Sequence, residues 1–145
     1  IGLNEHYCRR WLSISVLREM AADGGSTDPT ETRVAAQRSR FVETGAEFFT
    51  ITVARPLALS QGGHSSISLG FLMNDAFKRV VRFWNDDRVP VIEVNETCER
   101  CGLSTAQCSE RVAPPEIFTQ EQNQRVREEA LRRFMLEHLS SNDSE

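Results

Sequence analysis

The stretch Thr32–Pro56, TRVAAQRSRFVETGAEFFTITVARP, decides the fold. Its second half, Ala46 to Ala54, is dense in aromatic and β-branched residues, which fit a pleated, half-buried surface. Thr32 to Val42 forms a matching arm, and Glu43-Thr44-Gly45 between them is a turn, so the segment reads as a β-hairpin. Side chains alternate across a strand, which puts Phe49, Ile51 and Val53 on one face and Phe48, Thr50 and Thr52 on the other. On the first arm Ala35, Gln37, Ser39 and Phe41 alternate with Val34, Ala36, Arg38, Arg40 and Val42. Neither face of that arm is wholly apolar, so it borders a pocket or lies at a sheet edge.

Working outward from the hairpin, Ser65 to Leu72 is a third strand with Ile67, Leu69 and Phe71 on one face. Asn74 or Asp75 caps a helix that runs to about Trp84 and buries Phe77, Val80, Val81 and Trp84. Val91–Val94 is a short fourth strand. Upstream, residues 4–21 read as a helix with a stripe of Tyr7, Trp11, Ile14, Leu17 and Ala21 and a second stripe of Leu12, Val16 and Met20. Gly24, Gly25 and Pro29 break it. Residues 119–139 form a last helix with Val126, Ala130 and Phe134 spaced by four, beside Leu131, Met135 and Leu139. The expectation is an α+β domain: an antiparallel sheet of about four strands flanked by helices, with a cysteine-rich loop. Residues 1–118 would be the domain proper, 119–139 a helix packing on it or on a partner, and 140–145 a disordered tail.

The 145 residues carry 17 Lys+Arg against 21 Asp+Glu, a net charge of −4. That balance argues against this segment being a nucleic-acid grip, which needs a basic face. A 39% apolar content excludes global disorder. No window approaches the roughly 18 apolar residues of a membrane span. No signal peptide opens the chain, whose first residue is Ile1, so it reads as a piece of a longer, cytoplasmic protein. Lys78 is the single lysine beside sixteen arginines, which a codon bias of the source genome explains most simply.

Chemistry concentrates in the cysteines. Cys98, Cys101 and Cys108 stand as C-x2-C-x6-C in a loop without periodicity, and Cys8 is the only other. A disulfide framework is disfavoured because no secretory signal is present and the core needs no staples. A thiol-redox pair is disfavoured because Glu96, Glu99 and Gly102 surround the C-x-x-C, where such pairs use a helix N-terminus. A metal remains: two thiolates from a tight turn, a third after a short loop, and Cys8 as the fourth. Soft thiolates select zinc or an iron–sulfur cluster. The three-plus-one layout suits the wider corners of a [4Fe–4S] cluster slightly better than zinc's usual paired knuckles, with a four-cysteine zinc site as the alternative.

The stretch Val91–Pro115, VIEVNETCERCGLSTAQCSERVAPP, resembles the cysteine segment that closes short-chain fatty-acyl transcriptional regulators. That segment pairs C-x2-C with a third cysteine followed by an Arg-containing run and prolines, as in Cys108-Ser-Glu-Arg111-Val-Ala-Pro114-Pro115. Upstream, Cys8-Arg-Arg-Trp11 matches a cysteine three residues before a tryptophan, and the likeness spans most of residues 5–118. The six-residue gap before Cys108 and the arginine pair after Cys8 depart from the family pattern. The family joins a helix-turn-helix and a metallopeptidase-like segment to a sensing domain. The resemblance implies that residues 1–118 are a metal-bearing sensory domain, sensor-domain-like in fold, with an acyl-CoA-like signal, DNA reached only through a separate N-terminal helix-turn-helix and, as in some members, an iron–sulfur cluster. Arg38, Arg40 and Arg55 would meet phosphates, with Phe49 and Ile51 along an acyl chain; a homo-oligomer is expected.

His6, His64 and His138 stand outside any ligand spacing, although His6, two residues from Cys8, is near enough in sequence to support a metal ligand. Gln61-Gly62-Gly63-His64 lacks the lysine and the strand-to-helix context of a phosphate cradle. Trp11 and Trp84 read as core aromatics. No nucleophile–base–orienter set can be assembled, so the chain is not expected to be an enzyme.

Overall fold

The computed structural model describes residues 2, 4–24, 28, 30–57 and 63–142, the side chains of 139–142 excepted. The elements in order are α1 (Leu12–Ala22), β1 (Arg33–Phe41), β2 (Glu47–Pro56), β3 (His64–Leu72), α2 (Asp75–Val80), β4 (Val91–Val94) and α3 (Glu116–Asn142). One four-stranded sheet has the order β3-β2-β1-β4. β1–β2 and β2–β3 are antiparallel, as the hairpin reading requires. β4 corrects the antiparallel expectation, because it lies parallel to β1 through Arg38↔Val91 to Phe41↔Val94. The sheet is therefore mixed. The chain reaches β4 only after α2 and a turn region, a connection long enough to return the strand in the parallel sense.

The hairpin turn forms where glycine permits it. Gly45 has φ +68°, a left-handed conformation that costs a side-chain-bearing residue energy. Its amide donates to the Phe41 carbonyl at 2.8 Å, and Thr44 Oγ1 accepts from the Ala46 amide at 3.2 Å.

Helix α1 covers one face of the sheet. Leu12, Val16 and Met20, the second of the two stripes, are its buried residues and pack with Ala54 of β2. Its start differs from the expected helix over 4–21. Residues 4–11 are not helical: Tyr7 bridges Thr97 in antiparallel fashion and Trp11 is the residue before the first helical turn. Tyr7 is accordingly exposed rather than part of a buried stripe. Backbone pairing with a distant loop has overridden the local 3–4 spacing.

On the opposite face Phe49 is only 1% exposed, with the rings of Phe77 and Phe83 each 5.7 Å away. Asn74 caps α2 as expected, its side chain accepting from the Phe77 amide at 2.9 Å. The helix ends at Val80, short of Trp84, and Val80 is 81% exposed rather than buried. The rest of that sheet face, including Val34, Val53, Ile67 and Leu69, is open to solvent. Helix α3 is longer than 119–139 and continues through 140–142, where the sequence predicts a tail; 143–145 lie outside the described residues. It has no extensive packing against another helix or strand among the described residues. No helix there is long and apolar enough to cross a membrane.

Candidate metal centre

The segment 4–11 and the loop 95–111 are bolted together residue by residue. The Cys8 amide donates to the Glu96 carbonyl at 3.2 Å, and the Cys98 amide to the His6 carbonyl at 2.9 Å. The Trp11 indole donates to the Asn95 carbonyl at 2.7 Å, and Asn95 in turn donates to the Arg100 carbonyl at 3.2 Å. Glu5 accepts from the Arg100 guanidinium at 2.8 and 3.0 Å and from the Thr97 hydroxyl at 2.9 Å. Hydrogen bonds from Arg100 and from the Gly2 amide hold the Glu5 carboxyl at about 2, well below its ordinary 4.5. Glu99 accepts from the His6 amide at 3.0 Å and pairs with the His6 ring at 2.7 Å. Burial pushes the Glu99 carboxyl up, but the His6 contacts outweigh it and leave it below its usual range.

This clamp carries Cys8 to the loop that holds Cys98, Cys101 and Cys108. All four thiols are buried and unpaired. Burial pushes the Cys8 and Cys108 thiols up, and each feels the charge of the others, Cys8 that of Cys101 and Cys98, Cys108 that of Cys8 and Cys101. Cys101 and Cys108 share a small core with Leu103, against which Val42 packs. Among the described residues, however, no three His, Cys, Asp or Glu side chains are arranged to hold one metal ion.

Two arginines organise the loop. Arg111 donates to the carbonyls of Cys98 at 2.8 Å, Cys101 at 2.7 Å, Leu103 at 2.6 Å and Ala113 at 3.1 Å. A loop without a ladder leaves most such carbonyls without a backbone donor, and one planar guanidinium serves all four, that of Cys98 also accepting from the Cys101 amide at 3.3 Å. Arg10 donates to Gln107 O at 2.6 Å and pairs with Glu110 at 3.1 Å. The Cys108 thiol faces the same Glu110 carboxylate at 3.8 Å. Gly102 is required by a close approach, since a Cβ there would lie 2.7 Å from the Phe118 ring at the start of α3.

The residues expected to bind ligand share the sheet face opposite α1 but do not form one pocket. Phe49 is enclosed by the two rings described above, and Arg38 lies across from it in register. Arg40 is committed to Glu47 at 2.7 Å, and Arg55 is exposed at the far end of β2. Arg38 Nε is buried with no hydrogen-bond partner among the described residues. A cleft of about 980 Å3 opens elsewhere, between α1 and the β1–β4 side of the sheet, bordered by Arg9, Arg10, Arg18 and Arg40 over Leu12 and Val16. Only Arg40 of the five expected residues reaches it. The role of Arg111 and the Glu5–Arg100 clamp escaped sequence reading; His6 next to a cysteine was the one available signal, and its ring meets Glu99.

Comparison of the chain with family models, curated proteins and solved structures returned no match.

Proposed function

We propose that the chain is a metal-bearing sensory module of a transcription regulator, with Cys8, Cys98, Cys101 and Cys108 as ligands to one iron–sulfur cluster. The observation that carries this reading is the clamp: four buried thiols from both ends of the sequence are delivered to one region by a dedicated set of bonds. Buried cysteines acting as small apolar residues need no such delivery. The guanidinium of Arg111 beneath the loop and Arg10 beside Cys108 suit a centre that four thiolates make negative. Tetrahedral zinc, with Zn–S of about 2.3 Å, asks for sulfurs about 3.8 Å apart. The preference for a [4Fe–4S] cluster rests on the three-plus-one spacing of the cysteines and the family resemblance; the alternative is a dimerisation or interaction domain built on a four-cysteine zinc site.

Anaerobic reconstitution with iron and sulfide tests the metal directly. A brown protein containing both elements supports the cluster, whereas a colourless protein taking up zinc alone supports the alternative. Each Cys→Ser variant is expected to lose metal and several kcal/mol of stability. Full metal content in Cys8→Ser would break the ligand set.

The signal is best read as an acyl-CoA-like metabolite. The family resemblance supplies that idea, and the cleft beside α1 is its candidate place: Arg9 and Arg18 border it over Leu12 and Val16, while Arg10 is already paired with Glu110, Arg40 with Glu47, and Glu19 and Glu93 also line it. A thermal-shift series of free CoA and short acyl-CoAs at about 1 mM, on metal-replete protein, is expected to raise the melting temperature. A flat response removes the signal and leaves the metal reading intact.

A further inference from the structure

The two edges of the sheet are protected very differently. β4 is four residues long, follows Pro90 and carries Glu93, all devices that discourage pairing with another strand. β3 has nine residues, His64-Ser-Ser-Ile-Ser-Leu-Gly-Phe-Leu72, with no Lys, Arg, Asp, Glu or Pro among them. It pairs with β2 along its whole length and is an outer strand of the sheet. Ile67 and Leu69 are 73% and 59% exposed.

The register shows which amides face outward. Met73 donates to the Glu47 carbonyl and Leu57 to that of Gly63, which makes these directly opposed residues hydrogen-bonded pairs. Antiparallel alternation then turns Ile67, Leu69 and Phe71 toward β2 and the backbone groups of Ser66, Ser68 and Gly70 away from it. The sequence around Ser68 reads alike in both directions: small, aliphatic, small, aliphatic, small, as Ser66-Ile67-Ser68-Leu69-Gly70. A two-fold interface must be self-complementary, and this strand is complementary to itself when run antiparallel.

We infer that β3 is a self-association edge, at which two copies of this chain pair antiparallel about a two-fold axis at Ser68. Each sheet is thereby extended into the other. Ser68 opposes itself, Ile67 opposes Leu69 of the second copy, and Ser66 opposes Gly70. Centring at Ser68 also uses the full strand, roughly 30 Å of edge at about 3.4 Å per residue. A strip that long and one sheet thick, about 10 Å, falls below the roughly 800 Å2 per partner of a standard interface, so association is concentration-dependent.

Sedimentation equilibrium of the full chain between about 1 and 100 µM reads it, across the affinity range of a weak dimer. The mass is expected to rise from 16.4 kDa toward twice that value. The double variant Ile67→Lys/Leu69→Lys sets like charges opposite one another and should remain at the single-chain mass, as should Ile67→Glu/Leu69→Glu. Mixing the two should restore association, in a salt-sensitive form. Both sites are exposed, so melting temperatures should hold; if either variant fails to fold, Ser68→Pro removes the outward amide instead. A wild-type chain that stays at single-chain mass overturns the inference. So does undiminished association of the variants, or a mixture that does not reassociate.

Discussion

Arg111 illustrates how much of the loop's order rests on one side chain. Its guanidinium holds four carbonyls, two of them belonging to Cys98 and Cys101. Arg111→Met keeps the side chain's bulk but takes the guanidinium donor from these carbonyls, leaving that of Cys98 with only the Cys101 amide, and we expect a loss of about 3 kcal/mol in urea unfolding. Arg111→Lys should recover only part of it, because an ammonium lacks the planar fork. Glu5 gives a second, pH-resolved expectation. Its carboxyl is held at about 2, against 4.5 ordinarily. A depressed folded value means its contribution is fully present above pH 4.5 and is lost as pH falls toward 2. Wild-type protein should therefore lose stability over that window more steeply than Glu5→Gln, measured as urea midpoints against pH. Parallel slopes for the two would separate Glu5 from the acid response.

At the level of elements, the two long helices make opposite claims on stability. Met20 of α1 is almost fully enclosed against Ala54 and its neighbours, so Met20→Ala should cost about 2–4 kcal/mol through the cavity it leaves. Truncating the chain after residue 122, within α3, should change the unfolding free energy by less than about 0.5 kcal/mol, since that helix lies outside the packed core among the described residues. The strands were legible because Phe49, Ile51 and Val53 alternate with Thr50 and Thr52, and Gly45 marks the turn. The direction of β4 was not, because four alternating residues carry no information about which way a strand runs. The start of α1 is misleading in the sequence for a physical reason: Tyr7 and Trp11 keep helical spacing, but Tyr7 bridges Thr97 and the backbone on either side of it, His6 and Cys8, pairs with Cys98 and Glu96.

For the whole molecule, the net charge of −4 sets the expectation toward nucleic acid. In an anisotropy titration with random duplex at moderate salt, the chain should show no salt-dependent binding. Of the sixteen arginines, Arg10, Arg33, Arg40, Arg88, Arg100 and Arg133 are each paired with a carboxylate, which further reduces what the chain offers a phosphate backbone. The four cysteines of the candidate centre were readable from spacing and elimination. Their surroundings were not, since pairs such as His6–Glu99 lie 93 residues apart and no local pattern announces them.

That separation also imposes a timetable. At a synthesis rate of about 5–20 residues per second, the partner of His6 leaves the ribosome roughly 5–20 s after His6 itself. The hairpin can form within microseconds of its own completion, long before the clamp has anything to close upon. Through that interval Cys8 has no loop to be buried against. Docking of residues 4–11 therefore waits on the synthesis of residues 95–111, and until then the Cys8 thiol stands open to whatever reacts with thiols around it.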